Sequence, residues 1–109
     1  MFLIDDKKKM TVVKGDTAVF TVSVDNHTFS KGDTAYFTVR KSVGESPIEI
    51  RKVITDFDKN TFKVFLDKND TDITVGTYLY DIQLNLNDGR VDTVILPTKF
   101  TILGGVTID

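Results

Sequence analysis

Lys14-Gly15-Asp16-Thr17-Ala18-Val19-Phe20-Thr21-Val22 returns, seventeen positions later, as Lys31-Gly32-Asp33-Thr34-Ala35-Tyr36-Phe37-Thr38-Val39, with one change, Val19 to Tyr36. Each copy opens on a turn: Gly15 and Gly32 accept φ values that other residues avoid, and an Asp bonds backbone two residues on. Each then alternates apolar and polar side chains with period two, the signature of a half-buried strand. Ala18, Phe20 and Val22 share a face in the first copy, and Ala35, Phe37 and Val39 in the second. No third copy follows, so this is not a stacked array, which needs several units. The pair predicts two core strands of an all-β chain, with Val19 and Tyr36 pointing outward.

The same alternation extends along the chain. Strands are predicted at Met10 to Val13, Thr17 to Asp25, Thr34 to Lys41, Ile48 to Thr55, Thr61 to Leu66, Thr77 to Leu86, and from Val91 onward. Lys52 falls on the same face as Ile48, Ile50 and Ile54. That predicts a lysine snorkelling past the sheet end or a bulge near Arg51. Asp88-Gly89 fits a hairpin turn with positive φ at both central residues. Pro97 interrupts the last strand and predicts an edge position or a bulge. Phe29 is a lone apolar anchor in the polar loop from Asp25 to Asp33. No stretch carries an apolar stripe at helical spacing.

Seven to eight short strands predict a two-sheet sandwich or a barrel. Gly76-Thr77-Tyr78-Leu79-Tyr80 favours the sandwich. It matches the Gly-x-Tyr-x-Cys entry to the sixth strand of an immunoglobulin-like antiparallel β-sandwich, with Tyr80 where the cysteine would stand. Tyr78 is then a corner tyrosine whose hydroxyl bonds backbone a few residues upstream. A length of 109 residues fits one domain. Residues 1–9 are predicted as a solvated N-terminal arm, 10–103 as the sandwich, and 104–109 as a tail or linker.

Composition excludes several functions. There is no cysteine, hence no disulfide and no thiolate metal site. The net charge is -2 and Lys7-Lys8-Lys9 is the one cationic cluster, so a nucleic-acid partner is not expected. No apolar run approaches a membrane span. Phe2-Leu3-Ile4 precedes the lysines, the reverse of a signal peptide, so synthesis in the cytoplasm is expected.

No catalytic set stands out. His27 is the only histidine and sits in a turn-rich loop. No serine has the Gly-x-Ser-x-Gly context of a nucleophile elbow, and no glycine-rich loop opens a helix to hold phosphate. No enzyme activity and no cofactor are expected. Asp67, Asn69, Asp70 and Asp72 are the candidate Ca²⁺ ligands, with Asp56, Asp58 and Asn60 as a second acidic turn. Neither meets the spacing of a calcium loop, and such residues populate turns for backbone reasons alone. Tyr36, Val53, Phe65 and Leu79 are apolar or aromatic on outward positions and form the candidate partner surface. If the turn at Asp56 to Asn60 pairs its two strands, Val53 and Phe65 face each other across them.

The chain resembles the N-terminal immunoglobulin-like domain of phage and prophage baseplate upper proteins and related tail-associated proteins. The points of similarity are Val13-Lys14-Gly15-Asp16-Thr17 and the strand Tyr36-Phe37-Thr38-Val39-Arg40-Lys41. They continue through Ile48 to Thr55, Leu66 leading to Asp70-Thr71, and Gly76-Thr77-Tyr78-Leu79-Tyr80-Asp81-Ile82-Gln83 with its Asp88-Gly89 hairpin. The resemblance implies a virion structural or adaptor component without catalytic residues. Its partners would be other virion or tail proteins, or further copies of itself as a homo-oligomer, with no nucleic acid and no membrane. A binding module of a bacterial surface adhesin, or a carbohydrate-binding domain, is the alternative. The absence of tryptophan counts against sugar stacking.

Overall fold

The computed structural model describes residues 1–44 and 46–105; the predicted tail falls outside these from residue 106 on. The described residues form eight strands and no helix: β1 (Phe2–Ile4), β2 (Met10–Val13), β3 (Ala18–Ser23), β4 (Thr34–Arg40), β5 (Ile48–Ile54), β6 (Thr61–Leu66), β7 (Gly76–Asn85) and β8 (Val91–Leu103). Six make one sheet in the order β1-β2-β8-β7-β4-β5, and β3 and β6 pair alone. β2 runs parallel to β8; the other pairings are antiparallel. The inner faces of the two sheets pack into a β-sandwich.

The period-two pattern decides which side chains go inside. Ala35, Phe37 and Val39 of β4 are fully buried, as are Val64 and Leu66 of β6. On β7, Tyr78, Tyr80, Ile82 and Leu84 alternate inward. The two repeat copies meet at equivalent positions: Phe20 of β3 packs edge-on against Phe37 of β4, ring centroids 5.8 Å apart. A two-stranded sheet cannot cover six strands, each about 4.8 Å from the next. Aromatics outside the pair complete the cover. Phe2 stacks on Phe20, and loop residues Phe29 and Phe57 stack at 4.1 Å beside Phe62.

Four expectations are corrected. Residues 1–9 are solvent-exposed except at Phe2, but they are not a free arm: Phe2–Ile4 pair with Met10–Val12, and the Tyr80 hydroxyl donates to Lys8 O in the turn between them. Burial and the nearby Asp5 charge push the Tyr80 phenol up to about 12. The irregularity in β5 is not at Arg51. Val39 pairs with Ile50 and Arg40 with Ile48, which leaves Glu49 as the extra residue. Ile48 therefore sits exposed opposite Arg40. Lys52 keeps its inward parity because Asp70 neutralises it, Nζ to Oδ2 2.8 Å. The Asp56–Asn60 turn does not pair β5 with β6, since β5 pairs with β4 and β6 with β3. In the β7–β8 turn only Gly89 has positive φ; Gly89 N bonds Leu86 O, and Leu86 N bonds Arg90 O. Pro97 does lie at a register shift, because Thr98 pairs with Tyr80 and Ile95 with Ile82.

The Tyr78 hydroxyl donates to Thr74 O at 2.5 Å. A hydrogen bond of this kind contributes about 1 kcal/mol net. Tyr78→Phe is expected to lower the melting temperature by about 4 °C, leaving the far-UV circular dichroism unchanged; an unshifted melt would deny the bond a structural role. The two turn glycines differ in surroundings. A Cβ on Gly32 (φ +96°) would lie 3.0 Å from Asn87 Cβ, whereas one on Gly15 (φ +82°) would meet nothing within 4 Å. Both alanine variants carry the left-handed backbone cost of roughly 1–2 kcal/mol. Gly32→Ala is expected to be the less stable of the two in parallel urea titrations, and equal midpoints would contradict the close approach.

Candidate functional site

The register of β5, β4 and β7 lines up three rows on the outer face of the larger sheet. Val53, Tyr36 and Gln83 form one; Arg51, Thr38 and Asp81 the next; Ile48, Arg40 and Leu79 the third. All of these residues except Val53 and Ile48 line a depression of ≈ 280 Å³ whose lining also includes Ser42, Val43 and Pro97. Every element contributes by its alternation: the parity that buries Phe37 and Val39 turns Tyr36, Thr38 and Arg40 outward.

Charge is concentrated in the middle of this face. The Arg51 guanidinium lies over the Tyr36 ring, 4.8 Å from its centroid, a favourable cation–π placement. Arg40 Nη1 donates to Gly44 O (2.6 Å) and Ser46 O (3.0 Å), which fastens the β4–β5 loop. Asp81, on β7, is half-buried to one side of these cations. Burial pushes its carboxyl above the ordinary carboxylate value, only partly offset by the Arg40 and Arg51 charges. Among the described residues no cation forms a direct ion pair with it. The arrangement can therefore present a carboxylate, a guanidinium and an aromatic ring to a protein surface.

The structure separates the residues of the candidate partner surface. Tyr36, Val53 and Leu79 share this face. Phe65 does not: it pairs with Val19 on the outer face of β3–β6, where both are more than half exposed. Val53 and Phe65 are thus divided by the whole thickness of the sandwich. Arg40, Arg51 and Asp81 were not among the sequence candidates. Their outward parity reads as ordinary solvated charge, and only the pairing of β5 and β7 on either side of β4 makes them neighbours.

Two of the candidate calcium ligands, Asp67 and Asp70, have their carboxylates engaged by the backbone of their own loop. Asp67 Oδ1 accepts from the backbone N–H of Asn69 and Asp70. Asp70 Oδ2 accepts from Asp67 N and Lys52 Nζ. Asp72 lies 3.9 Å from Lys14 Nζ, and Asn69 is exposed. Among the described residues no three acidic or histidine side chains converge as a metal group. In the second acidic turn, Asp58 bridges to Thr61 through backbone, and Asn60 Nδ2 reaches Val24 O.

A second polar cluster joins His27, Asp33 and Asn87. Asp33 is 3 % exposed. Its Oδ2 accepts from Ser30 N and its Oδ1 from Asn87 N, both at 2.9 Å, with His27 Nε2 3.4 Å from Oδ2. Asn87 Nδ2 donates in turn to Ser30 Oγ and Lys31 O. This cluster clamps the β3–β4 loop to the β7–β8 turn. The signal for it was the repeated Gly-Asp. Asp16 in the other copy makes different contacts: its carboxylate takes the Met1 amino group and its backbone O accepts from Thr71 Oγ1.

No family model matches the chain, and no curated protein matches it.

Burial of Asp33 raises its carboxyl, but the N–H groups of Ser30 and Asn87, followed by the His27 ring, outweigh that and hold it below the ordinary value. A lowered carboxyl stabilises fully above its unfolded pKa of about 3.9, and this is lost as pH falls through the folded value. Asp33→Asn is therefore expected to melt below wild type at pH 7. The gap should close as pH drops below about 4, where wild type loses the same charge. A gap constant down to acid would show that charge is not what the clamp uses.

Proposed function

We propose that this chain is a non-enzymatic structural or adaptor domain of a phage or prophage tail or baseplate, acting through protein–protein assembly. Within that reading the sandwich is immunoglobulin-like, a view supported by the Tyr78 hydroxyl on Thr74 O and by the two-sheet strand order. The observation that carries the assembly reading is the uncovered outer face of β5-β4-β7, where Tyr36, Arg51, Val53, Leu79 and Asp81 stand together. Aromatic residues and arginine are enriched in the cores of protein interfaces. A sheet face with a buried inner side and a mixed apolar and charged outer side suits presentation of a rigid surface to neighbours. A virion part is made in the host cytoplasm and incorporated without export.

The test is incorporation. Tail particles purified after induction of the strain carrying the gene should contain the chain at a fixed ratio to the other tail proteins by quantitative mass spectrometry. Asp81→Arg, a charge reversal at the centre of the face, should reduce that ratio at least tenfold. A chain recovered only in the soluble fraction would refute the tail reading.

A further inference from the structure

The outer face of β5-β4-β7 carries opposite charges at mirrored positions about β4. Arg51 and Asp81 flank Thr38 in the same row, one strand to each side. Within one chain they do not pair directly, and the Asp81 carboxylate is half-buried beside cations that do not reach it. We propose that a second copy of the chain covers this face, about a two-fold axis along β4, so that Arg51 of each copy pairs with Asp81 of the other. This rests on the assembly reading above and names its partner.

A rotation of 180° about the β4 direction lays β5 of one copy over β7 of the other. Packed sheets lie about 10 Å apart, a gap that an arginine and an aspartate span together. The other rows match under the same operation. Leu79 falls over Ile48, which the Glu49 bulge leaves exposed opposite Arg40. Val53 falls over Gln83, and Tyr36 over its own counterpart. Arg40 also lands on itself, and its Nη1 is turned to the carbonyls of Gly44 and Ser46. Such an isologous contact is self-complementary and closes as a dimer. The opposite outer face, with Val19 and Phe65, offers no comparable charge pairing: its nearest charged row is Lys63 against Thr21.

Light scattering over a concentration series tests the proposal with the full chain. Wild type is expected to rise from the monomer mass toward twice it. Asp81→Arg alone and Arg51→Asp alone should each stay monomeric, because like charges then face each other. An equimolar mixture of the two variants should recover the dimer, since every facing pair is again opposite. Phe65→Glu should dimerise as wild type does. A second measurement does not depend on charge variants folding. Thr38→Cys, in a chain with no other cysteine, should form a covalent dimer with a short bismaleimide, and Thr21→Cys on the other face should not. Wild type monomeric at every concentration, variants that dimerise unchanged, or a mixture that fails to recover would each overturn self-pairing. Monomeric protein that is still built into particles would defeat self-pairing alone; absence from particles would defeat the tail reading.

Discussion

Phe20 meeting Phe37 edge-on is the contact on which the two layers depend. It joins the smaller sheet to the larger at matching positions of the internal repeat. Phe37 then touches Tyr80 and Phe100 on β7 and β8, and Phe2 stacks on Phe20. Aromatic pairs in edge-on or offset geometry contribute about 0.5–1.5 kcal/mol beyond the area they bury. A one-residue slip of either strand would turn its phenylalanine to solvent. The register of β3 on β6 and of β4 between β5 and β7 is held by that penalty.

The imbalance between six strands and two accounts for much of the remaining structure. The smaller sheet leaves part of the inner face bare, and local segments with apolar residues close over it. The Phe29–Phe57 stack is drawn from two loops that are far apart in sequence, and Phe2 comes from the N-terminal hairpin. Polar closures sit at the two ends of the sandwich. Asp33 ties the β3–β4 loop to the β7–β8 turn, while Asp70 ties the β6–β7 loop to Lys52. With both ends fastened and the inner face covered, the outer faces of the two sheets are what the described residues leave open.

Much of this was legible in the sequence, because parity is a local property. The inward triplets Ala18-Phe20-Val22 and Ala35-Phe37-Val39, the long alternation of β7, the Gly89 turn and the irregularity at Pro97 all depend on residues next to one another. The candidate site was legible only in part. Tyr36, Val53 and Leu79 could be assigned to outer faces, but not to the same one, and Phe65 could not be assigned to the other. A lysine at an inward position could be noticed, yet its neutralisation by Asp70, eighteen residues on, could not be read from spacing.

The sequence alone determined the all-β class, seven of the eight strands and the facing of most side chains, because alternation and turn chemistry act within a few residues. The tertiary structure decided which strands are neighbours. The chain crosses from β5 to β6 between sheets instead of turning back as a hairpin, because β5 completes the edge of the larger sheet beside β4 and β6 completes the smaller beside β3. That crossing separates Val53 from Phe65 and brings Arg51 into one row with Asp81. Non-local pairing depends on the summed burial of whole faces, a quantity no short window of sequence contains.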